Sequence, residues 1–123
     1  MQALKLEDVL RKYASLDMFE GYSITSPTSS GPDGDTPFHM AAYDGDLEAV
    51  RTMIPYVPDV NMQGDIGNTP LHYAVSSRQL AMAEELLAYG ADPTKGNDYG
   101  DTPLEYMANE PMFAQLLNRL NPA

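Results

Sequence analysis

The chain contains no cysteine, which excludes disulfides and thiolate metal sites. It is also poor in positive charge: 7 Lys and Arg stand against 18 Asp and Glu, for a net charge of −11. A field of that sign repels nucleic acid and anionic membrane and attracts basic partners, although plain solubility would also explain it. No segment approaches the roughly 20 consecutive apolar residues of a membrane span. The opening residues, Met1 to Asp8, carry charges of both signs and no uninterrupted apolar stretch. No secretory signal is therefore expected, and the cytoplasm is the expected location. A length of 123 residues fits one ordinary domain.

What the chain does have is a repeat. Thr36-Pro37-Phe38-His39, Thr69-Pro70-Leu71-His72 and Thr102-Pro103-Leu104-Glu105 follow one another at an interval of 33 residues. Gly34, Gly67 and Gly100 each precede the Thr by the same offset, and Ala41-Ala42, Ala74-Val75 and Met107-Ala108 follow it. Asp59-Val60-Asn61 is echoed by Asp92-Pro93-Thr94. Correlated self-similarity at this period is the signature of stacked supersecondary units. From residue 31 to about 120 the chain resembles an ankyrin-repeat protein. The resemblance implies an all-α solenoid of three helix-turn-helix repeats with protruding turns, at about 31–63, 64–96 and 97–123.

Before the repeats, residues 2–18 read as an amphipathic helix, with Leu6, Val9, Leu10, Tyr13 and Leu16 on one side. Residues 1–24 are expected to cap the open face of the first repeat, the alternative being that they join the binding surface. Residues 25–35, rich in Ser, Thr, Pro and Gly, read as a linker and first turn, and 36–123 as the repeat array. Within each repeat the Thr is a helix cap and the Pro suits the first helical position, where no amide donor is needed. Inner helices are expected from Pro37 to about Tyr43 and from Pro70 to Ser76. Outer helices are expected at Leu47–Ile54, stopped by Pro55, and at Leu80–Tyr89, ended by Gly90. Pro111 should open a last helix to about Leu120, with Gln115, Asn118 and Arg119 facing water. Arg78 stands where the first repeat has Gly45, and Glu105 replaces the motif histidine.

The chemistry-bearing residues point away from catalysis. His39 and His72 are the only histidines; the resemblance assigns them, with Thr36, Thr69 and Thr102, to a structural network between turns. One repeat apart, they suit neither a shared zinc ion nor an acid–base pair. Asp33 with Asp35, and Asp44 with Asp46, lack the ligand count of a calcium loop. No metal, no cofactor and no catalytic residue is expected. Met40, Met53, Met82, Met107 and Met112 read as core filling, whereas Met62 falls in a turn strand where it would be exposed.

Ankyrin proteins, as the resemblance implies, bind other proteins through the turn tips and the exposed side of the inner helices. In this chain the corresponding positions include Asp33, Asp35, Asp44, Asp65, Asp98, Asp101 and Glu110, and none is basic. Tyr43, Ile66 and Tyr99 interrupt the acid with large side chains of the kind that anchor interfaces, and Asn68 lies beside them. Turn chemistry alone would favour some of these Asp and Asn residues. The expected function is binding of a protein with a basic, partly apolar patch, by a chain that is monomeric when free. Stoichiometric inhibition, such as an immunity protein neutralising a toxin, is the expected use. A general adaptor is the alternative.

Overall fold

The computed structural model describes residues 5–120, which hold seven α-helices and no strand. The first, α1, runs Leu6–Ala14. The inner helices are α2 (Pro37–Asp44), α4 (Pro70–Ser76) and α6 (Pro103–Ala108). The outer helices are α3 (Leu47–Met53), α5 (Leu80–Ala88) and α7 (Ala114–Leu120). Inner helices stack on one another, α2 on α4 and α4 on α6, and each packs against its own outer helix. The apolar core therefore runs as a strip along the stack, from Phe38, Ala41 and Val50 through Leu71, Met82 and Leu86 to Met107 and Phe113. Helices this short are marginal alone, so burial between neighbouring repeats must supply most of their stability.

Each inner helix starts as the sequence implies. Thr36, Thr69 and Thr102 cap through their side-chain oxygens, which accept from the backbone N–H of His39, His72 and Glu105. Pro follows at the first helical position each time. Gly45 ends α2 with φ 69°, and Arg78 takes the same left-handed conformation one repeat later, φ 61°. A side chain in that region costs about 1 kcal/mol or more relative to Gly. Gly45 has a second reason to be bare, since a Cβ there would lie 2.2 Å from the Gln79 side chain.

Several expected boundaries move. The first helix is shorter than 2–18: it ends at Ala14, a 3-10 turn follows at Asp17–Phe19, and residues 2–4 lie outside the described range. The α-helix α3 ends at Met53, one residue before the expected Ile54, and Pro55 then sits inside a 3-10 turn, Ile54–Tyr56, where its missing N–H is tolerated. Pro111 likewise opens a 3-10 turn, Pro111–Phe113, and α7 begins only at Ala114. Among the methionines, Met53, Met82 and Met107 are buried, but Met112 is exposed on α7's side of the stack. Met62 is half-buried rather than exposed, its sulfur 3.9 Å from the Thr36 hydroxyl.

The segment 27–35 carries the repeat's hydrogen bonds. Pro27 C=O accepts from Phe38 N–H as Pro93 C=O accepts from Leu104 N–H. Gly31 N–H donates to Asp35 C=O, as Gly64 does to Asn68 and Asn97 to Asp101. The alignment of the three turns thus reaches back to Pro27. In front of them α1 packs on both α2 and α3 through Val9 and Tyr13. The Tyr13 hydroxyl donates to Asp46, 2.9 Å away, which also caps α3 and pairs with Lys12 at 2.8 Å.

Candidate protein-binding surface

The turns are fixed from below by the two histidines. His39 Nδ1 accepts from Thr36 N–H at 3.2 Å and lies 2.8 Å from the Thr36 hydroxyl. His72 repeats this with Thr69, at 3.0 and 2.8 Å. With Nδ1 accepting, Nε2 carries the proton. His39 donates it to Met62 C=O at 2.9 Å, and His72 to Asp101 C=O at 2.8 Å. Each ring is thus a strut between one turn and the next. Burial pushes both imidazoles below the usual histidine range, which keeps them neutral as this arrangement requires. Glu105, at the third such position, is exposed and reaches only its own Thr102, at 3.3 Å.

Asp35, expected on the partner-binding surface, is a structural residue instead. It is 5% exposed and accepts from Tyr73 Oη at 2.7 Å and from Asp65 N–H at 2.9 Å. A carboxylate that must satisfy donors from the next repeat is drawn between the turns and out of reach of a partner. Gly64 makes room for it, since a Cβ there would sit 2.2 Å from Asp35 Oδ1. Asn68 is half-buried and accepts from Asn97 Nδ2 at 3.0 Å, so it too links turns. Asn97, buried and absent from the sequence expectations, holds the third turn by accepting from Tyr99 N–H and Asp101 N–H. Its signal is a side chain that departs from Gly64 at the same repeat position.

The remaining predicted residues stay near the surface. Asp33, Asp44, Asp98, Tyr43 and Tyr99 are exposed, Tyr99 by 75%. Asp65 and Asp101 are half-buried. Ile66 is 41% exposed at the tip of the second turn, with φ 57°. A β-branched residue in that region is strained by about 1–3 kcal/mol, and the turn holds it there with a bond from Asp98 N–H to Ile66 C=O. Partial desolvation, reinforced by the charges of Asp33, Asp35 and Asp98, pushes the Asp65 carboxyl above the usual carboxylate range.

Positive charge is spent elsewhere. Lys12–Asp46, Arg51–Glu85, Arg78–Glu110 and Arg119–Glu84 are ion pairs that each join successive units of the stack. Arg11 pairs locally with Asp8. Exposed pairs of this kind add at most about 1 kcal/mol each. Their greater effect is on the field: five of the seven cations are held in these pairs, and none of the pairs involves Asp33, Asp65 or Asp98 at the turn tips.

A comparison of the chain with curated proteins finds no match. The model of a family described as ankyrin repeats (three copies) matches residues 7–97, beginning within α1. With that match, the stacked helix pairs, the Thr-capped inner helices and the histidine struts, the chain belongs to the ankyrin-repeat family, a protein-interaction fold.

Proposed function

We propose that the protein binds a basic, partly apolar patch on another protein through its turn tips and the adjoining inner-helix surface. The observation that carries this is the composition of the tips. Desolvation, with the charges of Asp33, Asp35 and Asp98 adding to it, raises the Asp65 carboxyl, while Ile66 and Tyr99 stand exposed on the same turns. Like charges held together are relieved by a partner's Lys or Arg, and the large side chains supply the desolvated centre of an interface. Tyr43, with its ring edge-on to Tyr73 at 6.1 Å, extends the patch along the inner helices. A surface of this extent buries roughly 800 Å² per partner, enough for a specific complex.

The role we adopt is binding without catalysis, since both histidines are committed to struts and must remain neutral to serve there; the location that goes with this reading is the cytoplasm. For the use of that binding we adopt stoichiometric inhibition, of the immunity-protein kind. An acidic, rigid tip surface is suited to filling the basic cleft of an enzyme that acts on an anionic substrate, such as a toxin. Purified with its partner, the protein should abolish that partner's activity at a one-to-one ratio, and salt should weaken the inhibition. Saturated binding with full retention of activity would replace inhibition by an adaptor role.

A further inference from the structure

The two junctions between successive turns are closed differently, and the difference leaves a cavity. At the second junction, Gln63 Nε2 donates to Gly67 C=O at 2.9 Å and to Gly96 C=O at 3.2 Å. Asn61 Oδ1 accepts from Asp92 N–H at 2.7 Å. One repeat earlier, 33 residues back, Gln63 becomes Ser30 and Asn61 becomes Thr28. Both side chains are too short to span the gap. Their targets would be the carbonyls of Gly34 and Gln63 and the N–H of Asp59. Among the described residues, none of these three backbone groups has a hydrogen-bond partner. Thr28, Ser30, Gly34, Asp59 and Gln63 all line one cavity of about 460 Å³, with Met62 and His39 among its walls. Because Gly34 belongs to the first turn, the cavity borders the acidic tips.

We propose that this cavity takes a glutamine-type carboxamide side chain of the bound partner, which supplies the contact that Gln63 makes within the chain one junction later. The two amide N–H groups donate to Gly34 C=O and Gln63 C=O, and a backbone carbonyl of the same segment accepts from Asp59 N–H. A carboxylate is excluded, since it has no donor for the carbonyls and would add charge beside Asp59. The three backbone groups hold the same repeat positions as those bridged at the chain's second junction, and the turns that carry them are aligned by equivalent backbone hydrogen bonds. This subsite rests on the reading that the protein binds another protein, but its chemistry is testable without that partner.

The probe is N-acetyl-glutamine N-methylamide, titrated into the isotope-labelled full chain and followed by the Gly34 and Gln63 carbonyl 13C and Asp59 amide resonances. The expected result is a saturable shift of those resonances, half-complete on the order of 1 mM or weaker, as a lone ligand of this size allows. The leucine analogue and the Nε-dimethylated analogue, which keep the backbone amides but lack the side-chain donors, should bind at least tenfold more weakly. The variant Thr28→Asn with Ser30→Gln, built to fill the cavity as the second junction is filled, should melt higher and lose the shifts. Equal shifts from all three compounds, no saturable shift, or shifts that persist in a folded filled variant would overturn the proposal. So would free glutamine binding ten or more times tighter than the capped compound, which would make the cavity a small-molecule site. Failure here with retained partner binding would leave the proposed function intact.

Discussion

Where the first repeat meets the second, a buried carboxylate ties the turns together; where the second meets the third, carboxamides do. Asp35 takes a phenol and a backbone N–H from the next repeat. At the following junction, Asn61, Gln63, Asn68 and Asn97 make the bridges. The histidine struts follow the same split, since His39 reaches the segment before its neighbour's turn and His72 the segment after it. A carboxylate accepts only, so Asp35 draws its donors from the next repeat, and the first junction stays open where Thr28 and Ser30 are too short to bridge it. Carboxamides donate and accept, so the second junction closes on itself. A single repeat sequence thus produces one joint whose turns are bridged by carboxamides and one left unbridged at Thr28 and Ser30.

The comparison breaks most severely at the struts. Replacing His72 by Ala leaves Thr69 N–H and Asp101 C=O without their partner in a buried site. It should cost about 2–4 kcal/mol in chemical denaturation, with partner binding lost only as far as folding is. Glu105→Ala, at the equivalent but exposed position, should change stability by less than about 0.5 kcal/mol. Tyr73→Phe removes one of the two donors to Asp35 and should cost about 1–2 kcal/mol, read the same way. The exchange of Asn61 to Thr with Gln63 to Ser, which converts the second junction to the first's pattern, should cost about 1 kcal/mol.

The pH dependence follows from the struts as well. Both histidines have folded-state values below their unfolded ones, so below about pH 6.5 the unfolded chain takes up protons that the folded chain refuses. Stability should fall as pH drops through that unfolded value and level off below the folded values. A urea-midpoint series from pH 8 to pH 5 measures it. The carboxylates of Asp46 and Glu85 are held low, the first by Lys12 and Ala49 N–H against the opposing effect of its burial, the second chiefly by Arg51. Their contribution persists above the ordinary carboxylate range and is lost only in stronger acid, so the two losses separate on the pH axis.

Much of the fold was legible because repetition makes each residue testify three times. Thr-Pro pairs give helix starts, and the Ala-rich positions after them give the faces that pack. What the repeat could not convey lies where one copy departs from the others. Asp35 and Asn68 occupy one repeat position, beside tips that are exposed, yet both turn inward because donors from the next repeat reach them. That depends on Tyr73 and Asn97, far off in sequence, and no local pattern carries it. The prolines marked the ends of regular α-helix but not the 3-10 turns beside them. Pro55 and Pro111 read as a stop and a start, and α3 ends and the last helical segment begins at them, but each proline sits in a short 3-10 turn that the sequence pattern did not show. The acidic tips were legible in composition, while the pairing of five of the seven cations away from them needed the packing.

The most direct test of the account is to compare the wild-type chain with Asp65→Lys combined with Asp98→Lys as immobilised bait in native cell extract, at low and at moderate salt. Reversing two exposed or half-exposed charges leaves the struts and core untouched, and a melting curve would verify the fold. The account predicts that the wild type retains a basic protein in near-equal amount, and that the variant loses it at least tenfold at moderate salt. Retention of the same protein, in the same amount, by both baits would contradict it.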